Sequence, residues 1–333
     1  PVDKLVLDVS HQDFPHKMLT GRAYGFLTPE GFKEIGEYSD PTESPEYDIF
    51  YAGHTSPSIS LCVGLAKARE LKGGKESIVA FIGDGAMSGG MAFEGLDAAA
   101  TLKGNFVVIF NDNQMAIAPD YGGMYAKLKE LRETNGTADD NLFKAFGFDY
   151  IYVRDGNNLP ELIEAFKKAK AADHPIVVHI NTQKGLGWAP AEKNREEWHW
   201  SVPYNPEDAE PLSNSDTPDN DTVLLDFLKA KIKEDPTTLV ISSATPGAFG
   251  FDPKVRQEAG RQYMDVAIAE QTGVSVMAGA ARGGAKPIYP VIASFLQRAY
   301  DQLMEDWAMD ASPALMPILS SGTERNWAAL LPA

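Results

Sequence analysis

The strongest constraint in this chain is an alternation along its length. Short runs that are apolar on both faces recur between longer segments with apolar residues at helical spacing. The strand candidates 4–9, 77–82, 105–110, 149–153 and 175–180 are rich in Val, Ile and Phe, as strands covered on both faces of a parallel sheet are. Between them, 58–71, 89–102 and 159–171 read as amphipathic helices. A β-α-β-α order of this kind is most economically a doubly wound parallel sheet.

The texture changes between residues 203 and 221. That stretch holds Pro203, Pro206, Pro211 and Pro218 with six carboxylates, and no Lys or Arg occurs between Arg195 and Lys229. It reads as an exposed linker. The alternation then restarts, with a helix at 222–233, strands at 238–242 and 263–266, a helix at 270–281, a strand at 287–292 and a helix at 294–309. The expected domains are therefore 1–202 and 222–310, joined by 203–221. The tail 311–333 has no clear pattern. A length of 333 residues suits two such α/β domains.

Charge narrows the function. With 30 Lys+Arg against 47 Asp+Glu the formal net charge is −17, which argues against non-specific nucleic-acid binding. A phosphorylated ligand on such a chain needs a local cation or a helix N-terminus. The single cysteine, Cys62, excludes an intrachain disulfide and reads as a small buried hydrophobe. The longest charge-free run, 236–251, is 16 residues with two prolines, short of the roughly 20 apolar residues of a spanning helix. A soluble, cytoplasmic protein that does not enter a membrane is expected.

Two motifs carry chemistry. Ile82-Gly83-Asp84-Gly85-Ala86 directly follows a strand. There, two glycines allow a tight turn and close backbone approach, and Asp84 offers a hard oxygen. A second strand ends in Asn111-Asp112-Asn113-Gln114-Met115, with Asn113 29 residues beyond Asp84. Strand ends one strand-helix-strand unit apart sit side by side on a parallel sheet. Asp84, the Asn113 amide oxygen and a nearby carbonyl could then share one Mg²⁺, leaving positions for phosphate. The alternative reading is a plain glycine turn and a pair of Asx turns.

The spacing resembles the diphosphate and metal motif of thiamine-diphosphate enzymes. Asp8-Val9-Ser10-His11-Gln12-Asp13-Phe14-Pro15-His16-Lys17, Gly53-His54-Thr55-Ser56, Asp265-Val266-Ala267-Ile268-Ala269-Glu270-Gln271 and Ser294-Phe295-Leu296-Gln297-Arg298-Ala299-Tyr300-Asp301-Gln302 narrow it to a resemblance to the 1-deoxy-D-xylulose-5-phosphate synthases. The resemblance implies two thiamine-diphosphate-binding domains, a diphosphate/Mg²⁺ domain and a pyrimidine domain. The family's preceding segment and its third, C-terminal transketolase-like domain are expected to be largely missing. It implies thiamine diphosphate and Mg²⁺ as cofactors, with Asp84, Asn113 and the Met115 carbonyl as metal ligands. His11, Gly53, His54, Thr55, Gly85, Ala86, Asn113, Trp188, Glu270 and Phe295 are implied as cofactor contacts.

The family resemblance further gives Glu270, His54 and His199 catalytic roles, and places His199 and Arg298 at the substrates. The implied reaction is decarboxylative carboligation of pyruvate with glyceraldehyde 3-phosphate, through a cofactor enamine, feeding isoprenoid, thiamine and pyridoxal precursors. A homodimer is expected. His16 is a weaker candidate, and His174 and His179 read as structural. Thr272 and Ile292 depart from the family, which commonly has His and Tyr there. A transketolase-like ketol or acyl transferase and a catalytically silent paralogue are the alternatives.

Overall fold

The computed structural model describes residues 2–28, 30–36, 38–199, 204–212 and 220–319. The chain divides into two units, Pro1–Met115 with Gly123–Lys184, and Ala116–Gly122 with Gly185–Ala333.

The first unit runs β1 (Lys4–Leu7), α1 (Phe14–Lys17), α2 (Ser58–Lys72), β2 (Ile78–Gly83), α3 (Asp84–Met87), α4 (Gly90–Ala99), β3 (Phe106–Asp112), α5 (Gly123–Glu133), α6 (Leu142–Ala145), β4 (Asp149–Val153), α7 (Leu159–Lys170) and β5 (Pro175–Asn181). Its sheet has the order β1-β2-β3-β5-β4, every pair parallel. The pleat explains the apolar strands. Val79 and Phe81 of β2 pack with Val107, Ile109 and Val178 toward Ala165 and Ala169 of α7, while Ile78, Ala80 and Ile82 are buried on the opposite face. Helix α7 starts where Asn158 accepts the Glu161 N–H at 3.3 Å, an N-cap made by a short polar side chain. Helix α2 stops at Gly73, whose φ of +65° lets the last carbonyls be satisfied by a left-handed cap.

The second unit contains α8 (Ala189–Lys193), α9 (Asn220–Glu234), β6 (Thr238–Ser242), α10 (Pro253–Ala259), β7 (Tyr263–Asp265), α11 (Glu270–Arg282), β8 (Lys286–Ile288), β9 (Val291–Ile292), α12 (Ala293–Leu296), α13 (Tyr300–Gln302) and β10 (Ile318–Leu319). Strands β7-β6-β8 form a parallel sheet, and β9 pairs parallel with β10. Apolar layers cover both faces: Val240 packs with Leu228, Phe249, Phe251 and Ile288, and its neighbour Ile241 packs with Val274, Met277 and Tyr289.

Three elements differ from the sequence reading. The strand expected at 287–292 is broken, because Pro290 has no N–H to donate; Tyr289 and Val291 instead donate to the carbonyls of Leu315 and Pro317 at 2.9 and 3.0 Å. Part of the unpatterned tail therefore joins a sheet. The helix expected at 294–309 is helical from Ala293 to Met309 but changes winding at Ala299, where φ is −101° and ψ is 25°. Helix α5 follows a Pro- and Gly-bearing stretch and was not anticipated. Of the expected linker, residues 203 and 213–219 lie outside the described residues. No described helix is long and apolar enough to cross a membrane.

Candidate active site

In the first unit, three loops meet at the carboxyl ends of β1, β2 and β3. The first is fixed by Asp8, fully buried just past β1. Its carboxylate accepts the backbone N–H of Ser56 at 2.6 Å and of Ser58 at 3.0 Å. It thereby caps α2 and holds the Gly53-His54-Thr55-Ser56 turn, in which Ser56 takes a φ of 87°. The Ser56 hydroxyl donates to the Ala86 carbonyl at 2.9 Å, tying this turn to the loop after β2. The approach is close enough to require a glycine: a Cβ on Gly89 would lie 2.1 Å from the Ser56 Oγ.

The second and third loops are joined by Asp84. Strand β2 continues through Gly83, and a Cβ on that glycine would lie 2.7 Å from the Gln12 amide nitrogen. Asp84 opens α3 and is 1% exposed. Its Oδ1 accepts the Gly85 N–H at 2.9 Å, and its Oδ2 accepts the N–H groups of Asn113, Gln114 and Met115 at 2.9, 2.6 and 3.3 Å. Gln114 reaches this geometry with a φ of 67°. The Asn113 amide oxygen accepts the Met115 N–H at 3.0 Å. Tyr125 of α5 donates to the Asp84 carbonyl at 3.1 Å. The structure thus brings Gly53, His54, Thr55, Asp84, Gly85, Ala86, Asn113 and Met115 onto three linked loops. His11 lies on the adjoining Ser10–Asp13 turn, its side chain outside what is described.

The donor set fits a hard divalent cation. The Asp84 carboxylate and the residues 113–115 that carry the Asn113 amide oxygen and the Met115 carbonyl meet at neighbouring strand ends, and Mg²⁺ prefers oxygens of these kinds while keeping sites for phosphate. Four backbone N–H groups already donate to the Asp84 carboxylate and so favour its ionised, ligating form.

Beneath the third loop lies a buried network that sequence reasoning missed. Asp112 and His179 are both fully buried. The Asp112 Oδ2 accepts from Arg132 at 2.5 Å and lies 2.9 Å from His179 Nε2, while His179 Nδ1 lies 2.6 Å from the Tyr150 hydroxyl. The other oxygen of Asp112 accepts the Gln114 N–H at 3.2 Å. Burial works to raise the Asp112 carboxyl, but the bonds and charges of His179 and Arg132 outweigh it and hold it low. Burial lowers the His179 imidazole, with Asp112 pulling the other way. From sequence, Asp112 looks like one more polar residue of the motif, and only its position on the strand's other face separates it from Asn111 and Asn113. His16 lies 3.1 Å from Asp48, a carboxylate also held by Arg22.

In the second unit, Trp188 packs edge-on against Trp198, with centroids 4.4 Å apart, and stacks on Tyr204 at 5.0 Å. His199 is half-buried beside that cluster. Glu270, the first residue of α11, is 3% exposed. Its Oε2 lies 3.2 Å from Arg298 Nη1. Burial raises the Glu270 carboxyl and the Arg298 charge partly offsets this. Phe295 is half-buried on α12. Thr272 is exposed on α11, and Ile292 is half-buried just before α12.

Comparison with known proteins follows the same division. Residues 216–325 match the family model described as "Transketolase, pyrimidine binding domain", so this stretch is a domain of the transketolase class. Residues 1–141 and 134–182 match the model described as "1-deoxy-D-xylulose-5-phosphate synthase". The chain belongs to the 1-deoxy-D-xylulose-5-phosphate synthase family. The synthase of Natranaerobius thermophilus is 35% identical over 357 residues, covering 96% of this chain and 56% of that protein. That of Shouchella clausii is 37% identical, covering 92% and 54%. The chain thus spans about half the length of the curated relatives it matches. A transketolase from Leishmania mexicana aligns in structure with a TM-score of 0.44 and 15% identity, covering 94% of this chain and 59% of that one.

Proposed function

We propose that this chain forms the cofactor-binding part of a thiamine-diphosphate- and Mg²⁺-dependent transferase. The reaction joins pyruvate to glyceraldehyde 3-phosphate, with release of CO₂ and uptake of one proton, to give 1-deoxyxylulose 5-phosphate. The observation that carries this reading is the meeting of Asp84 with residues 113–115 at adjacent strand ends, a ready cradle for a metal-bound diphosphate. When bound, thiamine diphosphate supplies a nucleophilic carbon and an electron sink.

The chain's own residues do the rest. Asp84, Asn113 and the Met115 carbonyl hold the metal. His11, Gly53, Thr55, Gly85, Ala86 and Trp188 contact the cofactor, and Phe295 packs on its pyrimidine. Glu270 holds a proton at a pyrimidine ring nitrogen, where a buried carboxyl with a raised proton affinity is suited to share it. His54 and His199 move protons at the reacting carbonyl oxygens. Arg298 offers its fork to the acceptor's phosphate monoester. The working form in this reading is a cytoplasmic homodimer.

The test uses the full-length protein with thiamine diphosphate, Mg²⁺, pyruvate and glyceraldehyde 3-phosphate, following CO₂ and the pentulose phosphate. Coupled release of both, abolished in Glu270→Ala, is the expected result. CO₂ without the pentulose phosphate would move the acceptor elsewhere. No CO₂ from a protein that binds the cofactor would end the synthase reading.

A further inference from the structure

Glu270 occupies a place where a carboxylate ionises reluctantly. Water is excluded from it, and desolvation penalises the charged form. Arg298 and Tyr289 are within electrostatic reach of it, and Ser243 and Asp265 act on Tyr289 in turn. Tyr289, between β8 and β9, is fully buried, and its hydroxyl lies 2.5 Å from the Ser243 hydroxyl past β6. Burial first, and then the Glu270 and Asp265 charges, oppose ionisation of that phenol. Asp265, at the end of β7, is occupied by the N–H groups of Ala244 and Ala267. Arg298, in the turn after α12, is the cation that reaches Glu270, with 18% of its side chain exposed. Apart from this ion pair, Glu270 Oε2 has no hydrogen-bond partner among the described residues.

From this geometry we infer that Arg298 is a positioning residue for Glu270, holding its carboxyl group in place and countering the cost of burying its charge before any acceptor arrives. The inference rests on the cofactor reading above and deepens it. Placement at the first turn of the 13-residue helix α11 adds to the same effect, since the positive end of the helix favours a carboxylate there. An arginine that served only as a clamp for the acceptor phosphate would have no reason to face this carboxylate. The residual exposure of Arg298 leaves an edge from which a phosphate could still be met, so one guanidinium can serve both steps. The inference adds an earlier duty, in the half of the reaction that needs no acceptor.

The test reads the Glu270 carboxyl itself, by infrared titration of the full-length protein without cofactor. Subtracting the Glu270→Gln spectrum isolates its band. In Arg298→Leu the proton affinity of Glu270 should rise about tenfold or more, the effect of losing an opposite charge within a few ångströms. Arg298→Lys keeps the charge, should keep most of the wild-type titration, and guards against a Leu variant that does not fold. Unchanged titration in both variants would overturn the inference.

A second readout is the exchange rate of the thiazolium C2 proton, measured on the holoenzyme without acceptor. It should slow about tenfold in Arg298→Leu and recover in Arg298→Lys. A defect confined to the KM for the phosphorylated acceptor would overturn the positioning role. If calorimetry shows that no form binds thiamine diphosphate while the titration still shifts, the ion pair stands and the cofactor reading falls.

Discussion

At the scale of single residues, the least expected group is Asp13. It is 1% exposed, and neither carboxylate oxygen has a hydrogen-bond partner among the described residues. Burial and the neighbouring Asp48 charge push its carboxyl from the ordinary 3.8 up to about 6. The folded protein therefore binds this proton more tightly than the unfolded chain does. The stability it brings is full below about pH 4 and is lost as pH rises through about 6. Asp13→Asn should remove that slope and raise stability above pH 7 by up to about 3 kcal/mol, at about 1.4 kcal/mol per pKa unit. Urea unfolding between pH 4 and 8 measures this; an unchanged slope would mean Asp13 is solvated or paired. Gly89 gives a second residue-scale prediction. Gly89→Ala would place a methyl on the Ser56 Oγ, an overpacking that costs about 1–3 kcal/mol. Ser56→Ala in the same chain should restore part of the loss.

At the scale of elements, the site depends on what lies under its loops. Arg132 on α5 and His179 on β5 hold the buried Asp112, and Asp112 in turn holds the Gln114 N–H. Arg132→Met would leave Asp112 partly uncompensated. Breaking one side of a buried pair costs about 3–5 kcal/mol, so thermal unfolding should show a marked loss, and calorimetric Mg²⁺ affinity should fall with it. Normal stability and metal affinity would show the network to be incidental. The strands of the first unit were readable because their apolar runs are buried on both faces. Helix α5 was not, and neither was the network it anchors, because Arg132 and His179 lie 20 and 67 residues from Asp112. The break at Tyr289-Pro290 escaped notice because an apolar run looks like one strand until its partners are known.

At the scale of the whole molecule, the α/β class was legible from the alternation of strands and helices, whereas the two units divide at Lys184 and Gly185 rather than at the change of texture. The meeting of Asp84 with residues 113–115 was legible from two strand ends 29 residues apart. What spacing could not give was the inward turn of the Asp84 carboxylate onto three backbone N–H groups, or the pairing of Arg298 with Glu270. Those depend on backbone directions that no pattern of residue types encodes. Net charge completes the argument: a chain at −17 holds a diphosphate only where a cation and backbone donors are concentrated. In the proposed function, the loops after β2 and β3 are the seat of a metal-bound diphosphate. The most direct test is calorimetric titration of the full-length protein with thiamine diphosphate, with and without Mg²⁺, for the wild type and Asp84→Asn. Binding that requires Mg²⁺ and falls at least about tenfold in Asp84→Asn is predicted. Equal binding by both proteins, or binding indifferent to Mg²⁺, would contradict it.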